Sequence, residues 1–388
     1  MPKRIPAVIL VLMCSAVLSA CGGSSPIICN SLSSSTGTCI CNSGACPAQI
    51  NAYVYAIGVN GRIAAFPVDN TTGALKSPVA TTGPSASLGM AAIDGAYLYV
   101  SNPVPEIGAS IDGWSINQLT GALTPVPGSP FSLGAFSLAN GLAVADNLSA
   151  GPFLYVADAG KIDALKVDTG TGALSTVSGS PFSSGSNLYL ATDDLNRFVF
   201  AADEDSPGGV LAFTIDSSTG ALTPVPGSPF PISSNSTGVP QLGQIVVDPS
   251  GNFVYVTLTA TNQVAALAVA STGALTPVPG SPFAAGKGPL ALATFSNSPN
   301  NFLYVANALD GTVSGYSVDG AGGVLTPLTG SPFPIPAAAL TADLGLGHLY
   351  VSSPAGMLSF SINANSGALV PIGLPVSFTG ATILTYVQ

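Results

Sequence analysis

Few residues in this chain carry side chains able to do acid–base, nucleophilic or metal chemistry. Only 7% of the 388 residues are charged, and the one histidine is His348. Hydrolysis near neutral pH needs a base to activate water and a donor or cation to hold the developing oxyanion. A phosphorylated substrate needs Arg or Lys as well. The candidates fall into two groups of connecting segments. Arg62, Glu106, Asp158, Lys161, Asp203, Glu204, Asp205, Lys287 and Asp310 belong to one group, and Arg197 and His348 to the other. A further set recurs at matching places along the chain: Gly58, Asn102, Asp158, Asp203, Leu258, Asn307 and Ser353. Two carboxylates (Asp158, Asp203) and two amides (Asn102, Asn307) facing a common axis would suit a hard cation such as Ca²⁺, which takes oxygen ligands. Asn and Asp also end strands by bonding their own backbone, with no ligand involved.

The matching places come from a repeat. Residues 120–131 read T-G-A-L-T-P-V-P-G-S-P-F, and the same letters return at 219–230 and 272–283. Residues 171–182 and 322–333 are close copies, and looser ones open at Thr72 and Ser366. The shared leucine falls at Leu75, Leu123, Leu174, Leu222, Leu275, Leu325 and Leu369, a mean spacing of 49 residues over seven units. A period near 50 marks a propeller or an array.

Each unit predicts four short strands. An aromatic run such as Y-L-Y-V-S-N (97–102) or F-L-Y-V-A-D (153–158) is bounded by Gly, Asn and Pro, a strand signal. A run of period two follows, for example 111–117 and 162–168. The third run is the A-L-T-P-V segment, whose prolines remove ladder donors and confine it to a sheet edge. The fourth, rich in Ala, Gly and Val, precedes the aromatic run and fits a crowded centre. The order from the axis outwards is therefore A (small), B (aromatic), C (alternating), D (proline-bearing). The seven recurring positions, Gly58 to Ser353, are the last residues of the B strands. His348 and Arg197 lie by A–B connections, and the acids by B–C connections, on the opposite face. His348 thus reads as a surface residue at a strand start. Trp114 and the phenylalanines of the G-S-P-F units (Phe131, Phe182, Phe230, Phe283, Phe333) read as packing residues.

The first unit begins at Tyr53 with a B strand and lacks an A strand. The chain ends in A-T-I-L-T-Y-V (381–387), a strand with no unit to follow it. One orphan at each end is what a ring closed by strand exchange requires. The expectation is an all-β chain: a seven-bladed β-propeller of four-stranded antiparallel blades over 51–388, with the C-terminal strand completing blade one.

Lys3 and Arg4 precede an apolar run, 5–20, which reads as a secretory signal. Leu18-Ser19-Ala20-Cys21 resembles the lipobox of bacterial lipoprotein precursors. That resemblance implies removal of 1–20 and lipidation of Cys21. Gly22 in place of Asp implies outer-membrane sorting in a two-membrane host. Residues 21–50 form a Ser-, Gly- and Asn-rich tether with Cys29, Cys39, Cys41 and Cys46, and 47–388 contain no cysteine. Four cysteines in an exported chain predict two disulfides in one of three pairings. A four-thiolate metal site is the competing reading, without its usual C-x₂-C spacing. Loss of Lys3 and Arg4 with the leader leaves six basic residues against 18 acidic, a net charge near −12. Such a surface excludes nucleic acid as a partner, and the membrane is expected to be met only through the lipid.

The Y-V-A-N and Y-V-S-N strand ends, the D-x-x-T-G-A-L turn and the count of seven resemble the seven-bladed lactonase-type propellers, which include bacterial 6-phosphogluconolactonases and the YVTN-repeat surface proteins. The resemblance implies a propeller over about 51–388 and hydrolysis of a sugar lactone. No catalytic residue carries over by motif. Two readings of function follow. One is a monomeric, lipid-anchored binding module whose D–A and B–C loops engage a protein, a glycan or a small molecule. The other is a lactonase-type hydrolase.

Overall fold

The computed structural model describes residues 52–387, apart from residues 60, 147, 159, 186, 344 and 379 and the stretches 81–88, 103–107, 135–138, 204–207 and 233–240. The leader, Cys21 and the tether cysteines Cys29, Cys39, Cys41 and Cys46 lie outside the described residues.

Seven antiparallel sheets follow one another in chain order, each a four-stranded blade. Blade three is representative: Ala139–Ala145 innermost, then Phe153–Asp158, Lys161–Val167 and Leu174–Thr176. Ala381–Val387 pairs with Tyr53–Gly58, aligning Tyr53 with Val387 and Ala56 with Leu384. The C-terminal strand thus fills the inner place of blade one and closes the ring, as its orphan status predicts. Closure removes the free edge that Tyr53–Gly58 would otherwise expose.

The core lies between neighbouring blades. Tyr155, Ala164 and Val177 of blade three pack against Val199, Leu211 and Phe213 of blade four. Phe200 and Ala212 of blade four pack in turn against Val254, Val256 and Leu267 of blade five. Burying one such Val, Leu or Phe side chain contributes about 1.5–3 kcal/mol. At the centre the inner strands crowd each other. A Cβ on Gly89 would lie 2.3 Å from the carbonyl oxygen of Asn140 on the next inner strand, which accounts for the small residues there.

The repeated T-G-A-L turn has two tasks. Its leading acid caps the C–D connection: Asp168 Oδ1 accepts the N–H groups of Gly170 and Thr171 at 3.0 and 2.8 Å. Its glycine, at positive φ, sits on the first aromatic of the preceding blade's B strand. A Cβ on Gly220 would lie 2.3 Å from the Phe153 ring. The second aromatic then donates its hydroxyl to the same glycine's carbonyl, as in Tyr155 to Gly220 at 3.0 Å and Tyr55 to Gly121 at 3.0 Å.

The G-S-P-F segment differs from expectation. The sequence pattern places it at the start of the loop to the next blade, but its Phe returns to strand C. Phe131 pairs with Ile111, Phe182 with Ile162 and Phe283 with Val264. The outer strand is therefore one strand interrupted by V-P-G-S-P. The interruption leaves a C-strand N–H without its ladder acceptor, and the serine hydroxyl replaces it: Ala164 N–H donates to Ser180 Oγ at 2.9 Å and Ala266 N–H to Ser281 Oγ at 2.9 Å. The Ser-Pro bonds of this motif are cis.

Candidate functional site: the axial channel

In five blades the ladder between the A and B strands slips near its D–A end, between Ile57 and Gly58, Val156 and Asp158, Asn187 and Leu190, Leu242 and Ile245, and Pro289 and Ala291. Such bulges re-aim a side chain out of the sheet pattern. Here the extra residues include Thr382, Gly141, Tyr189, Gln244 and Leu290, and all five line one axial channel of about 730 Å³. Inner-strand residues Met90, Leu142, Leu190, Leu340, Ile383 and Leu384 supply most of the remaining wall. Gly58, Val59 and Gly61, from the B–C connection of blade one, place the mouth on the D–A and B–C face. Val59 is 77% and Leu290 41% exposed at this mouth.

The side chains of the wall are mainly apolar. Among the described residues its polar side chains are Gln244, Thr382 and Tyr189, and no carboxylate, imidazole, guanidinium or ammonium lines it. Thr382 Oγ1 donates to the Ile57 carbonyl at 3.4 Å. Gln244 Oε1 accepts the N–H of Leu292, on the inner strand of blade six, at 2.6 Å.

The strand-end set predicted from the repeat lies elsewhere. Asn102, Asp158, Asn307 and Ser353 are engaged within their own blades, and of the seven only Gly58 lines the channel. Asn102 Nδ2 donates to Asp112 Oδ2 at 3.2 Å. Lys161 Nζ lies 2.9 Å from the buried Asp158 carboxylate. Asn307 Nδ2 donates to Thr312 Oγ1 and Ser314 Oγ at 3.0 and 2.9 Å. Ser353 Oγ donates to the Gly356 carbonyl at 2.9 Å. Asp203 is 5% exposed, packed against Gly185, and Leu258 is buried. The reason is geometric: side chains of a B strand leave the blade's two faces, towards neighbouring blades, whereas inner-strand residues meet the axis. Asn102 Oδ1, Asp163 Oδ2 and Asn307 Oδ1 are buried without a hydrogen bond. They belong to blades two, three and six, and no three His, Cys, Asp or Glu among the described residues form a metal-ligand group.

Beside Asp158, burial first and the neighbouring carboxylate second push the Asp163 carboxyl up to about 7. The hydrogen bond to Asp158 raises Lys161 above its ordinary value. Burial likewise raises Asp112, against the opposing hydrogen bond from Asn102.

On the opposite face both sequence candidates are structural. His348 takes the place filled by Tyr53, Phe153 or Phe253 in other blades and packs on Gly73 of blade one. Its Nδ1 lies 3.4 Å from Asp343 Oδ2. The imidazole and two backbone N–H groups hold the buried Asp343 carboxyl below its ordinary value, although burial, the largest effect, acts upwards. Arg197 Nε donates to Asp193 Oδ2 at 2.7 Å, and its guanidinium lies 5.1 Å from the centroid of Phe198. On the channel-mouth face, Lys287 donates its backbone N–H to Asp310 Oδ2 at 2.6 Å. Glu106, Glu204 and Asp205 lie outside the described residues. Trp114 is 6% exposed and pairs with Leu98 and Pro125, a packing residue as expected.

The channel residues escape sequence reading because they are the ones that break the strand period. Gly243 is the trace that remains: a Cβ there would lie 2.2 Å from Thr257 Oγ1, so the bulge that turns Gln244 inward requires glycine before it.

Seven blades, the strand exchange and the shared turns agree with a family model described as "Lactonase, 7-bladed beta-propeller", which matches residues 155–237 and 229–342. Over residues 155–342 the chain matches this family of seven-bladed lactonase propellers. Solved structures share the fold at low identity. A Bacteroides fragilis NCTC 9343 protein, named provisionally as a 6-phosphogluconolactonase, is 18% identical with a TM-score of 0.68, over 88% of this chain and 100% of that one. The periplasmic gluconolactonase PpgL of Pseudomonas aeruginosa is 17% identical with a TM-score of 0.63, over 87% and 99%. A Lactobacillus plantarum protein is 15% identical with a TM-score of 0.65, over 87% and 99%. No curated protein matches the sequence.

Proposed function

We propose that this lactonase-family propeller is an exported, lipid-anchored module that binds a ligand through its axial channel and the D–A and B–C face around it, without hydrolysing a sugar lactone. The observation that carries the reading is the channel wall. Among the described residues, its lining holds no group able to act as a general base and no cation to receive a phosphate. The family supplies the alternative, lactone hydrolysis, and an exported relative of like fold bears the name gluconolactonase.

A pH-stat assay over a panel of aldonolactones separates the two. The binding reading expects no acid release above the uncatalysed rate. Steady acid release by the purified protein above that rate would establish the hydrolase instead. The anchor rests on the L-S-A-C sequence at 18–21. Labelling with radioactive palmitate in a bacterial host should mark the protein and fail for Cys21→Ala; equal labelling of both would remove the anchor.

A further inference from the structure

Within the channel one polar group is both oriented and unspent. Gln244 sits in the two-residue bulge between Leu242 and Ile245, opposite Thr257. A side-chain amide has an acceptor end and a donor end, and which is which follows from its partners. The Leu292 backbone N–H can only donate, and it points at Oε1 at 2.6 Å. The amide is therefore fixed, and Nε2, its donor end, belongs to a residue that lines the channel. Among the described residues no acceptor pairs with Nε2.

The surroundings say what would meet it. Met90, Leu142, Leu190, Leu290, Leu340, Ile383 and Leu384 form an apolar wall. Among the described residues no side-chain charge lines the channel to balance an ion, and desolvating an unpaired charge there would cost far more than a neutral group. The volume, about 730 Å³, lies within the range of small-molecule sites. We infer that the channel takes an uncharged, largely apolar compound bearing a carbonyl oxygen, and that Gln244 Nε2–H selects for that oxygen. This deepens the binding reading and rests on it.

The test uses the mature chain, residues 21–388, with Cys21→Ser to remove the acyl acceptor. N-phenyl-1-naphthylamine, an uncharged apolar dye that brightens on leaving water, reports occupancy. Butyrophenone and butylbenzene, which differ by C=O against CH₂, compete for it. Wild type should show displacement by the ketone at roughly five-fold lower concentration, the effect of one net hydrogen bond. Gln244→Met removes the amide. Gln244→Glu keeps an acceptor for Leu292 N–H but removes the donor. In both the ratio should fall to about one while the dye still binds. Equal competition in wild type, or a ratio that survives both substitutions, overturns the role of Gln244. Absence of dye binding overturns the apolar channel. Steady hydrolysis of an aldonolactone by the same preparation would sink the non-hydrolytic reading and leave the carbonyl preference to be judged by the ratio alone.

Discussion

Replacing Tyr155 by Phe should cost about 1–2 kcal/mol, and two neighbouring sites act as internal controls. The Tyr155 hydroxyl donates to the Gly220 carbonyl at 3.0 Å across the interface of blades three and four, and Tyr155 is fully buried. Removing the hydroxyl deletes one hydrogen bond and strands a carbonyl away from water. A net bond is about 0.5–1.5 kcal/mol, and an orphaned buried acceptor raises the loss towards about 1–3. Blade four carries Phe200 at the matching position, fully buried and facing the turn that holds Gly273. Phe200→Tyr should therefore restore the bond and be neutral or stabilising by up to about 1 kcal/mol. In blade seven the Tyr350 hydroxyl is buried with no hydrogen-bond partner, and its ring stacks on Tyr386 at 6.2 Å. Tyr350→Phe should therefore cost nothing or stabilise. Urea unfolding at constant m-value reads all three. Equal losses for Tyr155→Phe and Tyr350→Phe would refute the claim that the Tyr–Gly bond, and not the ring alone, links successive blades.

Ser180→Ala should cost about 1–2 kcal/mol in the same assay, because it leaves the buried Ala164 N–H without an acceptor. Deleting 381–387 should abolish the cooperative transition and leave aggregating protein, since Tyr53–Gly58 would become an open apolar edge; a sharp two-state transition in light-scattering-free samples would contradict this. Asp163, faced by Asp158 and Lys161, titrates near 7 when folded, whereas an unfolded Asp titrates near 4. The folded state then binds the extra proton between these values, so this group's contribution to stability falls as pH rises from about 4 to 7. Asp163→Asn should flatten the fall in melting temperature across that window relative to wild type; parallel curves would exclude it.

The architecture was legible because the repeat encodes it redundantly. Thr-Gly-Ala-Leu sets the C–D turn, its glycine needs positive φ to seat on an aromatic ring, and the prolines of 124–127 tolerate only a sheet edge. The orphan strands at Tyr53 and Ala381 announce ring closure in the sequence itself. His348, first in a B strand, reads in the sequence as a surface residue, whereas the structure packs it on Gly73 of blade one. What tertiary structure alone decided was which residues meet at the axis. The strand-end acids Asp158 and Asp203 look convergent when blades are aligned by sequence, yet alternation along a B strand turns their side chains into the gaps between blades. Gln244, Tyr189 and Leu290 carry no motif. They reach the channel because one extra residue per inner strand shifts the register, and a shift of one residue reverses the face a side chain takes. Sequence period determines the blade; the bulge, a departure from that period, determines the site.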